Sequence, residues 1–303
     1  MDKVCILLST FNGESYINEQ LDSILRQTDV ELQIIIRDDG SNDRTVDIIT
    51  HYIKAYQNIK LYAGENSGPA RSFMELIRIA PYADYYAFCD QDDVWMEKKL
   101  RNAILAIKEK YSTDVPVLYH SNLMVVDAAL NPIMKSNKKT SKNRYACLVD
   151  NNVTGCTAVF NRSLIQVIRK YDMDNITMHD AWINIIATFF GKVVFDRNAY
   201  IFYRQHEKNV IGIHERNDLK KNISSGISRI KRTELQPRLK NANALYEAYG
   251  DLLNQEDLKQ VTMIVNYKRS LADRIKLLLN YKIRSFSIER DIRYRLLILA
   301  GEI

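Results

Sequence analysis

The sequence predicts an α/β protein: a mostly parallel sheet flanked by helices, followed by a C-terminal helical region. Three observations carry that expectation. Up to about residue 127 short apolar runs alternate with stretches of helical periodicity. Two further strand-like runs, separated by an apolar-faced helix, follow before residue 196. From His214 onward the pattern is helical without strand signals.

Taken in order, residues 4–8, 32–36, 59–62, 85–89 and 117–120 are apolar runs of strand length bounded by polar residues, the pattern of buried strands. Between them lie stripes at three- and four-residue spacing: Ile17, Leu21, Ile24 and Leu25; Val46, Ile49 and Ile53; Leu100, Ile104 and Ile107. Residues 131–144 lack periodicity and predict a loop, either plainly solvated or folded over a site. Residues 154–160 and 192–195 predict strands, and residues 180–190 a helix faced by Trp182, Ile185, Ile186 and Phe189. A boundary is expected near residues 205–215.

Composition sets limits. The 303 residues are 46% hydrophobic and 26% charged, with ten Gly and five Pro, which excludes collagenous, low-complexity and broadly disordered classes. No uncharged apolar run approaches the ~18 residues of a membrane span. Cys5, Cys89, Cys147 and Cys156 form no CxxC pair, so neither a zinc knuckle nor a disulfide scaffold is expected, and a reducing cytoplasm fits. The net charge of +6 is uneven: residues 214–303 hold eighteen Lys and Arg against eleven Asp and Glu, whereas residues 1–213 are nearly balanced.

Ligands of open α/β sheets bind at the carboxyl ends of the strands. Here those ends read Ser9-Thr10-Phe11-Asn12-Gly13-Glu14, Arg37-Asp38-Asp39-Gly40-Ser41 and Asp90-Gln91-Asp92-Asp93. Each motif has a structural use of its own, since Asn-Gly and Asp-Gly make turns and Ser, Asn and Asp cap helices. Carboxylates converging from several strand ends nevertheless repel one another unless a cation or a hydrogen-bonded ligand offsets the charge. A divalent metal carrying a diphosphate does this, and Asp oxygens suit Mg²⁺ or Mn²⁺. The backbone cradles GxGxxG and GxxxxGK[ST] are absent from the sequence, so a metal bridge would take their place.

These motifs, with the helix Gln20-Leu21-Asp22-Ser23-Ile24-Leu25-Arg26-Gln27-Thr28 and Val94-Trp95 after the acidic run, resemble in order and spacing the donor-binding half of a family 2 glycosyltransferase of the GT-A fold. His179-Asp180-Ala181-Trp182 and Tyr203-Arg204-Gln205-His206 with Asn209-Val210 resemble the bacterial rhamnosyltransferase branch. The resemblance covers about residues 1–212, a donor half of about 1–127 and an acceptor or catalytic half of about 145–212. It does not extend over residues 213–303.

The resemblance implies roles for matching residues. Asp39 would accept a hydrogen bond from a pyrimidine N3–H, with Thr10 and Phe11 lining the base pocket and Asn12 and Glu14 completing the donor-binding motif. Asp92 would be the direct Mn²⁺ or Mg²⁺ ligand, with Asp90 nearer the ribose or a metal-bound water. Asp93 would support them or cap a helix beginning near Trp95. Arg204 and His206 would face the diphosphate or the sugar, and Asp180 would be the catalytic base. The implied reaction is inverting transfer of a sugar, L-rhamnose from dTDP-L-rhamnose or else a hexose from a UDP-sugar, onto a cell-surface glycan or lipid-linked saccharide. It would take place in the cytoplasm or on the inner face of the membrane. Asp180 also has a plain reading as a first-turn helix acid, and His179 as a buried structural histidine.

Two other classes compete. A haloacid-dehalogenase-type phosphatase would use an Asp after an apolar strand but leaves the Thr10–Glu14 stretch and Asp38-Asp39 unexplained. A non-catalytic sugar-nucleotide-binding scaffold would not need Asp92 and Asp180 together. In the tail, Leu219, Ile223, Ile227 and Ile230 form one apolar stripe among basic residues, and Ile288, Ile292, Leu296 and Leu299 another. Such helices lie on an anionic membrane, on a partner, or on their own domain. No nucleic-acid motif accompanies them.

Overall fold

The computed structural model describes residues 1–138, 143–171, 176–206 and 237–301. Strands β1 (Asp2–Thr10), β2 (Val30–Asp38), β3 (Ile59–Ala63) and β4 (Tyr85–Cys89) form a parallel block in the order β3-β2-β1-β4. Helices α1 (Ile17–Leu25), α2 (Thr45–Ala55) and α3 (Pro69–Ile79) make its crossovers. Strand side chains alternate between faces, and β1 obeys this: Cys5 and Leu7 enter one core, Val4, Ile6 and Leu8 the other. Every residue of β4 is buried, as expected of a strand covered on both sides.

Beyond β4 the sheet becomes mixed. β5 (Val94–Trp95), β6 (Val117–Val126), β8 (Val159–Asn161) and β9 (Lys192–Arg204) extend it in the order β4-β8-β6-β9-β5, with α4 (Lys99–Lys108) leading into β6. β8 runs antiparallel to β4 and β6, while β6 and β9 pair in parallel from Val117–Lys192 to Val126–Arg204. That last pair brings residue 204 beside the acidic loop after β4.

Three local expectations change, and two helices are added. Residues 131–144 are not all loop, since β7 (Pro132–Lys135) forms a hairpin with β6; residues 139–142 lie outside the described residues. Of residues 154–160 only 159–160 belong to β8; Gly155–Thr157 is a 3₁₀ turn, in which Gly155 lies so close to the ring of His179 that a Cβ would overlap it. Asp93 caps no helix, because Trp95 is in β5 and α4 starts at Lys99. Helices α3 and α5 (Arg162–Arg169) went unread in the sequence, although Gly68 at φ 81° followed by Pro69 is a start signal for the former.

Helix α6 (His179–Phe190) buries Trp182, Ile185 and Ile186 against a core that continues into α7 (Pro237–Tyr249), α8 (Gln255–Val265), α9 (Leu271–Leu279) and α10 (Ile288–Ala300). Tyr249 sits at the junction, its ring 5.0 Å from Phe190 and 6.2 Å from Trp182, its hydroxyl donating to the Val167 carbonyl at 3.0 Å. The C-terminal helices thus share the core of the α/β part. The Leu219 to Ile230 stripe lies outside the described residues.

Candidate active site

The ends of β1 and β2 are tied into one scaffold. Thr10 Oγ1 donates to Asp38 Oδ1 at 2.9 Å, and Asp38 also takes the N–H of Ser41 at 2.8 Å and its hydroxyl at 2.6 Å. Asn12, in the left-handed region at φ 48°, accepts the Asn42 N–H at 2.8 Å. Glu14 accepts the Arg44 N–H at 3.1 Å. The side chains of Thr10, Asn12 and Glu14, expected at the donor, are thus also tied to the loop after β2 as a turn network. Phe11 is exposed, and Gln91 clamps its backbone, accepting from its N–H at 2.8 Å and donating to its carbonyl at 3.0 Å. A side chain at position 13 would overlap Gln91, so Gly13 permits this clamp.

Asp39 is buried and takes the N–H groups of Ser67 at 2.9 Å and Gly68 at 2.8 Å, with the Arg37 guanidinium against the same carboxylate. Burial alone would raise its pKa; those donors outweigh it and hold the carboxyl below the ordinary range. The loop so anchored lines a cavity of about 450 Å³ between the start of α3 (Ser67 to Arg71) and the segment Ile176 to Met178 that leads into α6.

The acidic run after β4 diverges. Asp90, Asp93 and Cys156 place their donor atoms within 4.8 Å of one another. Burial, then Asp92 and Asp180, push Asp90 up to about 7, and burial, then Asp92 and Asp90, push Asp93 far up. Asp93 accepts the Arg204 N–H at 3.1 Å. Asp92 Oδ2 lies 2.9 Å from His206 Nε2, whose ring packs 4.8 Å from Tyr16. Arg204 does not face the cleft: its side chain is 1% exposed, donates to the Asp92 carbonyl at 2.9 Å and to the Ala128 carbonyl, pairs with Glu19 and covers the Tyr16 ring. Its length and charge thus hold the acidic loop at the strand end where the diphosphate was expected. Beneath, buried Lys99 lies 3.5 Å from the Trp95 ring, and burial lowers it to about 8 against the pull of Cys89, Cys156 and Asp93.

Asp180 stands in the first turn of α6, its carboxylate taking the Ala181 N–H at 2.6 Å. Burial raises it to about 6, although Ala181, Lys138, Asn151 and Gly155 pull the other way. Preceding it, His179 is buried, stacked on Phe73 at 3.8 Å, and kept neutral by burial, which lowers it to about 3; neither ring nitrogen has a hydrogen-bond partner among the described residues, so it is not the satisfied histidine of its plain reading. Lys138, just after β7, bonds Thr154 Oγ1 and carries its charge toward Asp180, with burial lowering it to about 8. Lys138 and Cys156 join the site without a motif in the sequence to mark them. The one signal for the latter was Gly155 inside an apparent strand, a mark of close backbone approach.

The structure thus brings Asp90, Asp92, His206, Asp180 and Lys138 to one end of the sheet, with Asp39 at the end of β2, separated from β4 by β1. The oxygen donors fit a divalent cation: several buried carboxylates whose mutual repulsion already raises Asp90 would be relieved by one. Asp90, Asp93 and Cys156 are the groups whose donor atoms lie close enough to share one, while Asp92 is turned to His206.

A parallel nucleotide-type half, a mixed second half and an acidic loop between them define a GT-A glycosyltransferase. The sequence profile of Glycosyl transferase family 2 matches residues 5–169, and the chain belongs to that family. It is 31% identical over 222 residues to the dTDP-rhamnosyl transferase RfbG of Shigella flexneri, covering 68% of this chain and 73% of that protein. Several further relatives are covered over 60–66% of their own length. Among solved structures, S. aureus TarS residues 1–349 in complex with UDP-GlcNAc superposes with a TM-score of 0.60 at 16% identity, over 99% of this chain and 87% of that one. The mannosyltransferase PcManGT of Pyrobaculum calidifontis, in complex with GDP-Man and Mn²⁺, gives 0.53 at 15% identity, over 98% and 86%. These two likenesses concern the fold. Family membership sets aside the phosphatase and scaffold readings. Among the described residues no helix is long and apolar enough to cross a membrane.

Proposed function

We propose that the chain is an inverting, metal-dependent glycosyltransferase acting in the cytoplasm, moving L-rhamnose from dTDP-L-rhamnose onto a saccharide acceptor of a surface polysaccharide. The observation that carries the chemistry is Asp180: a partly desolvated carboxyl near 6, at a helix start, electrostatically coupled to Asp90. The similarity to a dTDP-rhamnosyl transferase supports the sugar. In the proposed step an acceptor hydroxyl attacks the anomeric carbon in line, Asp180 takes its proton, and the nucleoside diphosphate leaves with the electron pair of the broken bond. Asp90 and Asp92 would hold Mn²⁺ or Mg²⁺, which when bound supplies positive charge to offset that building on the diphosphate. His206 orients Asp92. Asp39 would take the N3–H of the pyrimidine through the lone pairs its loop leaves over, with the exposed Phe11 beside the base. A UDP-hexose donor is the second reading, favoured by the shared fold with TarS bound to UDP-GlcNAc.

The deciding experiment offers dTDP-rhamnose, UDP-glucose, UDP-GlcNAc and GDP-mannose with Mn²⁺ and follows thermal shift and donor hydrolysis. dTDP-rhamnose is expected to give the largest shift. A larger shift with GDP-mannose would remove the role given to Asp39.

Lys138 provides a test of the base. In Lys138→Gln the cation that lowers Asp180 is gone, so Asp180 should titrate higher and the acid limb of kcat against pH, expected near 6, should move upward. An unmoved limb would separate Lys138 from the base.

A further inference from the structure

Among the described residues, two neighbouring helices, α9 and α10, carry exposed apolar faces. On α10, Ile288, Ile292, Leu296 and Leu299 are between 56% and 80% exposed, while Tyr294, Leu297 and Ile298 are buried. At ~100° per residue the exposed four occupy an arc of about 80°, opposite the buried three. α9 repeats the arrangement: Leu271, Ile275 and Leu279 are exposed at four-residue spacing and Leu277 is buried. Tyr281, 75% exposed, lies between the helices. The stripe of α10, whose simplest use is packing on its own domain, is therefore not so used; each helix already has a different face in the core. Isolated exposed apolar residues are ordinary, but repeated stripes on two helices packed together are the kind of surface that marks an interaction site.

Charge identifies the occupant. Residues 266–301 hold nine Lys and Arg against three Asp and Glu, an excess equal to the net charge of the whole chain. Lys276, paired with Asp273, flanks the stripe of α9; Arg293 flanks that of α10 on one side beyond Glu289, and Arg295, paired with Asp291, on the other, by the same helical geometry. An apolar arc bordered by cations fits the boundary of an anionic lipid layer, where Ile and Leu enter the acyl region and Lys and Arg reach the headgroups. A Tyr between the helices suits the same boundary. A protein partner would not require the excess of one sign, and a second copy of the same face would bring like charges together. We infer that α9 and α10 form a docking face for an anionic membrane surface, on which the chain lies without spanning.

The test uses the full chain without donor or acceptor, so its outcome is independent of the transfer reaction. Vesicles of phosphatidylcholine with about a third phosphatidylglycerol should sediment the protein at low salt and release most of it at 0.5 M NaCl, where screening is short-ranged. Vesicles of phosphatidylcholine alone should sediment much less. The double variant Ile292→Asp, Leu296→Asp should bind at least about tenfold more weakly, and Leu271→Asp, Leu279→Asp should do likewise. All four positions are exposed, so circular dichroism and melting temperature should stay at wild-type values. Arg293→Gln should weaken binding on the order of fivefold at low salt. Unaltered vesicle binding in both double variants would overturn the inference. So would a wild-type dimer by light scattering that Leu296→Asp dissociates, which would assign the face to a second copy.

Discussion

Asp180→Asn is expected to lower kcat by about 10²–10⁴-fold, the usual contribution of a positioned general base. The amide keeps the size of the side chain and its place at the start of α6, so thermal stability and donor affinity should stay close to wild type. The pH profile separates this role from a structural one. Burial raises Asp180 to about 6; below that pH the group is protonated and cannot accept the acceptor's proton, so wild-type kcat should fall as pH drops through 6. The residual activity of Asp180→Asn should lack that limb. A variant that melts far lower yet turns over normally would make Asp180 a helix-start residue only.

Removal of Asp92 should have an effect of similar size by another route. Asp92→Ala takes away one of the two carboxylates expected to hold the cation and leaves His206 without its 2.9 Å partner. Donor binding should lose its dependence on Mn²⁺, and transfer should fall to the level of wild-type enzyme treated with EDTA. The fold should persist, because the Arg204 contact to residue 92 runs to the backbone carbonyl and survives the substitution. Full turnover in EDTA by wild type would remove the metal from the mechanism altogether.

The sequence made the parallel half readable because its signals are local. β4 coincides with the apolar run at 85–89, and the helical stripes of α1, α2 and α4 face the core as their spacing requires. The site was readable only by position. Asp39, Asp90, Asp92 and Asp180 could be picked out because they follow strands or open a helix; Asp90 lies within electrostatic reach of Asp92 and Asp180, and Asp39 stands apart at the end of β2. Partnership was not readable. Nothing in the order of residues says that Asn12 and Glu14 turn to the β2 loop, or that the buried cation near the acidic run is Arg204 from 112 positions away rather than a donor contact. Short elements failed for the same reason: β5 and β8 are too brief to show a period, and exist because long partners pair with them.

The parallel pairing of β6 with β9 has a consequence for how the enzyme comes into being. Its final rung, Val126 with Arg204, joins segments almost eighty residues apart, and the same Arg204 fastens the acidic loop after β4 through its own N–H and guanidinium. Closing loops of that length precedes the reward of contact, so such pairings form late along a folding route. The parallel block can collapse early from neighbouring strands, yet the carboxylates do not acquire their clamp until β9 is in register to its last residue. Catalytic competence is thus an endpoint of folding for this chain, and a partly folded form with a complete donor-side sheet would still be inactive.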